Sequence, residues 1–210
     1  MARRLGYRFV DTGMMYRALT WLALDRSYDL HDEPALAQLA EEVSIDLEAA
    51  PPDSAKPGLI RIAGRIRIDG TDVTDRLRLT EVGEAVSLVS RVPAVRKVMV
   101  ARQRELAREG RVVMAGRDIG TVVIPNAPLK VYLDASPEKR ARRRHKELLA
   151  MRRDETLQQV RDELALRDAI DSERTASPLR PADDAVIVDT DSLSLEQVVE
   201  RILELTSCRS

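Results

Sequence analysis

Four short apolar runs punctuate the chain: Tyr7-Arg8-Phe9-Val10, Arg111-Val112-Val113-Met114-Ala115, Leu129-Lys130-Val131-Tyr132-Leu133 and Ala185-Val186-Ile187-Val188. Brief runs of this kind, rich in valine and isoleucine, fit strands buried on both faces of a parallel sheet. Each gives way to polar residues, namely Asp11, Arg117-Asp118, Asp134 and Asp189. Helical patterns separate the runs, and this alternation predicts an α/β fold with a parallel sheet. Helix punctuation agrees. Ser136-Pro137-Glu138 reads as an N-cap, a first-turn proline and a first-turn acid, which suits a helix start. Ser194-Leu195-Glu196-Gln197 reads as a capping box, opening a helix with Leu195, Val198, Val199, Ile202 and Leu205 on one stripe.

Two stretches break the rhythm. From about Val43 to Arg76 apolar and polar residues alternate, with Pro51-Pro52 and Lys56-Pro57-Gly58 before Leu59–Ile68 and a turn signal at Asp69-Gly70. That pattern predicts a small antiparallel meander with one wet face, inserted into the α/β body. From Arg140 to Arg174 the chain is helical in pattern, strongly charged and without a continuous apolar face, which predicts a mobile helical arm.

A chain of 210 residues suffices for one domain with a real core. Its 34 basic and 35 acidic residues leave a formal charge of −1, so no general attraction to nucleic acid or anionic membrane is expected. Cys208 is the single cysteine, which excludes an intrachain disulfide framework, and His31 and His145 belong to no metal-ligand motif. No apolar run is long enough to span a membrane and the N-terminus carries no signal-peptide core. A cytoplasmic location is expected.

Three constellations could carry chemistry. Asp11-Thr12-Gly13-Met14-Met15-Tyr16-Arg17 follows the first strand. A hydroxyl, a glycine and an arginine at a strand's carboxyl end suit a phosphate, although an ordinary helix cap beside an exposed arginine explains the same residues. Ala115-Gly116-Arg117-Asp118-Ile119-Gly120-Thr121 follows the second strand. Its glycines suggest a close backbone approach, Arg117 could clamp phosphate, and Asp118 could accept from a base amine. A tight turn with a surface ion pair is the alternative. Finally, Arg140, Arg142, Arg143 and Arg144 crowd one helix, and Arg167, Asp171 and Arg174 repeat at helical spacing. Like charges at i,i+3 and i,i+4 repel unless an anion joins them. A solvated helix laced with acids, or an RNA-binding arm, would show the same pattern. With aromatic residues at only 3%, stacking partners for RNA bases are few.

Taken together, these pieces resemble the bacterial cytidylate kinase family. The ordered set comprises Asp11–Arg17, Asp69–Thr74, Arg78 with Glu81-Val82, Ser87, Val92–Arg96 with Arg102-Gln103, Gly116–Thr121 and Leu133–Ser136. It continues with Arg140–Arg144, Arg167, Asp171, Arg174 and Pro178-Leu179. The resemblance implies a P-loop nucleoside-monophosphate-kinase-like parallel sheet with helices on both faces, a small antiparallel insert and a helical lid. One domain over residues 1–210 is implied, with core 1–30, 93–135 and 176–210, monophosphate-binding insert about 31–92 and lid about 136–175. It implies transfer of the ATP γ-phosphoryl group to CMP and dCMP, with Mg2+ carried on the ATP, by a monomer. Carried over residue by residue, Arg17, Arg117 and Arg174 hold the monophosphate; Ser87, Arg96 and Asp118 read the cytosine edge; Arg167 and Asp171 address the ribose. Thr12 and Tyr16 shape the pocket floor, and Arg140, Arg143 and Arg144, with Arg174, act on the transferring phosphoryl group. A UMP- or AMP-specific kinase and a nucleotide- or RNA-binding pseudoenzyme are the alternatives.

The family's Gly-rich loop, G-x-x-x-x-G-K-[ST], is not found in these 210 residues. That loop cradles the ATP phosphates, so no ATP-binding residues are assigned. Met1–Gly6 resembles the end of the helix that follows it. The expectation is therefore an N-terminally truncated chain, without the first strand of the sheet, poorly soluble alone and inactive as a kinase, with a misplaced start favoured over a genuine pseudoenzyme.

Overall fold

The computed structural model describes residues 1–49, 64–173 and 179–207. A single helical turn, α1 (Ala2–Leu5), is closed by Gly6 in the left-handed region and leads into β1 (Arg8–Asp11). Helix α2 (Thr12–Asp25) starts at once, because the Asp11 side chain caps it by accepting from the Gly13 backbone N–H at 3.0 Å. Nine of its residues are buried, so it is the central core helix. Helix α3 (Glu33–Glu42) is capped by Asp32 and has Pro34 in its first turn. Together α2, α3 and the later α5 enclose Met15, Leu19, Leu36, Leu39 and Met99, all essentially inaccessible. Burying each such side chain contributes about 1.5–3 kcal/mol.

The expected meander is present where the structure describes it. Strands β2 (Ile45–Ala49) and β3 (Gly64–Ile68) pair antiparallel, and β3 turns through Asp69-Gly70 into the short β4 (Thr71–Asp72). Both turn residues have positive φ, 48° and 81°, the geometry that this dipeptide favours. Ile66 and Ile68 are buried while Arg65 is exposed, so one face is wet. The dry face joins the core of α2 and α3. Pro51-Pro52 and Lys56–Ala63 lie outside the described residues.

A short 3-10 turn leads to α4 (Thr80–Arg91), and Pro93 opens α5 (Pro93–Arg108). Strand β5 (Val112–Ala115) pairs parallel with β1, placing Asp11 opposite Ala115. Strand β6 (Val131–Asp134) pairs parallel with β7 (Val186–Asp189). All four strands thus fall within a residue or two of their apolar runs. The parallel strands form two pairs, β1–β5 and β6–β7, among the described residues. Leu133 and Ile187, on the second pair, are 52% and 60% exposed.

Between β6 and β7 lie α6 (Pro137–Ala150), capped by Ser136, and α7 (Leu157–Glu173). The two helices pack on each other, and Ala141 and Leu148 on α6 and Val160 on α7 are buried. This charged arm therefore has a small apolar seam of its own, and α7 also meets α4. The last helix, α8 (Leu195–Ser207), begins with the predicted capping box: Gln197 N–H donates to Ser194 Oγ at 3.2 Å and Ser194 N–H to Gln197 Oε1 at 2.8 Å. Its apolar stripe is not a core face here. No α8 residue is fully buried, Leu195 is exposed, and the helix flanks an open groove with Ile187, Val188 and Leu193.

Candidate active site

The site forms at the carboxyl ends of β1 and β5, where ligands gather in open α/β sheets. The hydroxyl of Thr12 donates to the Ala115 carbonyl at 3.0 Å, tying the two strand ends together. Gly116 lies against that bond. A Cβ there would stand 2.4 Å from Thr12 Oγ1 and 2.8 Å from Ile119 Cδ1, so glycine is required by space. After Asp118 the chain makes a single π-helical turn, Ile119–Val123, a rare form often found at functional sites. Arg104 on α5 holds its far end by donating to the carbonyls of Val122 and Val123 at 2.7 and 3.0 Å.

One group of side chains is buried and polar. Arg96 on α5 forms an ion pair with Asp118, both almost inaccessible. Its guanidinium lies 5.4 Å from the Tyr16 ring centroid, within cation–π range, and its Nη1 donates to the Ser90 carbonyl at 3.1 Å. Ser87, one turn earlier on α4, is also buried. The Nε of Arg96 is buried with no hydrogen-bond partner among the described residues.

The second group is a cluster of arginines. Arg17 donates to the Leu77 carbonyl at 3.3 Å. Burial, together with the neighbouring Arg167 and Arg144, brings its guanidinium down to about 10, against the partial relief of Asp11 and Glu163. Burial and Arg117 likewise lower Arg167, opposed by Asp171 and Glu163. Arg117 reaches α7, with Nη2 3.3 Å from Asp171 and Nη1 3.5 Å from Asp168. Asp168 also pairs with Arg140, and Arg167 Nε lies 4.0 Å from the buried Asp171. Asp11 is raised, mainly by burial, against the Gly13 N–H and the charges of Arg17 and Arg167. Several guanidiniums are thus held close in a partly dry setting, which favours an anion among them.

Two sequence neighbours join the groups, since Tyr16-Arg17 and Arg117-Asp118 each give one residue to either side. Thr12, Tyr16, Arg17, Ser87, Arg96, Arg117, Asp118, Arg140, Arg144, Arg167 and Asp171 all fall in or beside this region. Arg143 does not join the cluster: it donates to Thr190 Oγ1 at 3.0 Å and to the Thr190 carbonyl at 2.6 Å, at the end of β7. Arg174 lies outside the described residues. Asp168 was not singled out from the sequence, although its spacing of three from Asp171 puts both carboxylates on one helix face. Among the described residues no group of three or more His, Cys, Asp or Glu side chains could hold a metal ion, so the site offers no resident metal cradle there. No helix among them is long and apolar enough to cross a membrane.

A parallel α/β body carrying a buried Arg96–Asp118 pair beside crowded arginines is consistent with the nucleoside-monophosphate-kinase-like fold. The cytidylate kinase family profile matches residues 1–207. The chain is 52% identical to the cytidylate kinase of Geobacillus kaustophilus (strain HTA426) over 209 residues, covering 100% of this chain and 89% of the relative. It is 48% identical, over the same shares, to that of Geobacillus sp. (strain WCH70). It is 45% identical to that of Pelotomaculum thermopropionicum, over 99% of this chain and 88% of the relative. The chain belongs to the cytidylate kinase family, whose members are ATP-dependent phosphotransferases.

Proposed function

We propose that these residues form the acceptor half of a CMP/dCMP kinase: cytosine lies against Ser87, Arg96 and Asp118, and the monophosphate among Arg17, Arg117 and Arg174. The observation that carries the reading is the buried Arg96–Asp118 pair one residue away from a crowded arginine cluster. The Asp118 carboxylate accepts from the cytosine amine while the Arg96 guanidinium donates to the carbonyl side of the base, and uracil, with a carbonyl in place of the amine, is left mismatched against the carboxylate. Arg167 and Asp171 serve the ribose, and Thr12 and Tyr16 the floor.

In the transfer step an oxygen of the CMP phosphate bonds to the γ-phosphorus of ATP as the bond to the ADP oxygen breaks. Phosphoryl transfer asks for in-line placement and positive charge on the equatorial oxygens. Arg140 and Arg144, on a lid spanning about 136–175, supply that charge together with Arg174 in this reading. Arg143 serves the same lid through Thr190, anchoring α6 to the end of β7. Mg2+ arrives with ATP. The ATP-phosphate loop is not among these 210 residues, so turnover requires that loop in addition to them. A cytoplasmic monomer fits a small diffusible substrate and a single cysteine.

Calorimetric titration with CMP, dCMP, UMP, AMP and cytidine tests the reading. CMP and dCMP should bind tightest, with cytidine weaker for want of the phosphate. Tightest binding of AMP or UMP would refute the cytosine assignment. RNA binding that falls steeply with salt, without any CMP preference, would favour a nucleic-acid-binding module instead.

A further inference from the structure

Asp168 bridges two arginines of the site. It lies on α7, its two carboxylate oxygens facing arginines from different parts of the chain: Oδ1 is 3.5 Å from Arg117 Nη1, in the segment after β5, and Oδ2 is 2.5 Å from Arg140 Nη1, on α6. One turn further along α7, Asp171 Oδ2 is 3.3 Å from the other terminal nitrogen of Arg117. The Arg117 guanidinium is therefore gripped at both terminal nitrogens by one helix. Of its five N–H donors at least three remain to be offered elsewhere. Its side chain is 35% exposed, against 22% for Asp168 and 1% for Asp171, so the guanidinium is still reachable by a ligand.

We propose that Asp168 is a positioning residue of the acceptor site: one carboxylate fixes Arg117 for the monophosphate and ties it to Arg140 on the arm that carries the lid arginines. The proposal rests on the acceptor-site reading above. A free arginine loses much rotamer freedom when it clamps an anion, and an arginine already held by one oxygen from each of two carboxylates, Asp168 and Asp171, has lost part of that freedom beforehand. The same carboxylate makes the two guanidiniums move as a unit. Asp171 pairs with Arg117 and Arg167, and Glu138 with Arg142 and Arg161, whereas Asp168 joins Arg117 to Arg140.

The competing physical effect is plain. A carboxylate near a phosphate repels it, and removing a mere placeholder for the anion would tighten binding. Calorimetry separates the two with Asp168→Asn, Asp168→Glu and Arg117→Gln, each titrated with CMP and with cytidine. Positioning predicts that Asp168→Asn weakens CMP by roughly fivefold, the scale of a part-exposed ion pair, leaves cytidine within twofold, and is partly rescued by glutamate. In the Arg117→Gln background the same change should have almost no effect on CMP. Tighter or unchanged CMP binding by Asp168→Asn would overturn the proposal. So would equal loss of CMP and cytidine, by Asn and Glu alike, or a full fivefold loss without Arg117. If the parent protein melts cooperatively yet binds no CMP, the acceptor-site reading itself falls, and the proposal with it.

Discussion

The Arg96–Asp118 pair offers the sharpest perturbation. Both side chains are about 5% exposed, so Asp118→Asn keeps the shape and one acceptor oxygen but leaves a buried guanidinium without its counter-charge. Breaking a buried pair from one side costs about 3–5 kcal/mol. The retained amide, the Ser90 carbonyl at 3.1 Å and the Tyr16 ring at 5.4 Å still cushion Arg96, which places the expectation near 3 kcal/mol. For a domain of this size, each kcal/mol moves the unfolding midpoint by about 2–4 °C, so Asp118→Asn should melt roughly 6–12 °C below the parent. Because the loss comes from an orphaned charge, Arg96→Met in the Asp118→Asn background should recover about half of it. Thermal unfolding followed by circular dichroism reads both numbers. A drop below about 2 °C, or a double variant no better than the single, would refute the claim that this pair is dry and mutually dependent.

Two further outcomes follow from the same site. Asp11 is raised above its ordinary value by burial, so its ionised form opposes folding at neutral pH. That opposition is absent below the unfolded carboxylate's range and sets in as pH rises through the elevated folded value. Asp11→Asn, which keeps the helix cap, should therefore melt above the parent at pH 7, with the gain shrinking toward pH 4; a gain independent of pH would count against the buried-charge account. Second, a coupled-enzyme assay of the 210-residue chain with ATP, Mg2+ and CMP should show turnover no greater than the blank, since no phosphate-cradling loop is among its residues; clear CDP formation would contradict this.

Much of this architecture is legible along the chain because its signals are local. Short apolar, β-branched runs bounded by polar residues are a strand signal, and so Val112–Ala115 and Val186–Asp189 announce themselves, although neither is buried on both faces as such runs predict: Ile187 is 60% exposed and β5 is only half-buried. Caps are equally local, as at Ser136 and Ser194. The Asp69-Gly70 hairpin is read from two residues. What is less legible depends on tertiary approach. Arg140 and Arg143 look alike on paper, yet one meets Asp168 and the other Thr190, and which of these a long side chain reaches is decided by the elements packed beside α6. Asp168 looks like any surface acid until α7 is laid beside the segment after β5. The stripe on α8 has the pattern of a buried face, but periodicity says only that a face is apolar, not what covers it. The π turn after Asp118 has no sequence signature beyond the room that Gly116 and Gly120 leave for Thr12 and Lys130.

The most direct test of the central claim is a crystal structure of the protein with CMP. The cytosine amine should lie within hydrogen-bond reach of Asp118, with Arg96 beside it and the phosphate touching both Arg17 and Arg117. A base bound away from Asp118, or a phosphate that contacts neither arginine, would contradict it.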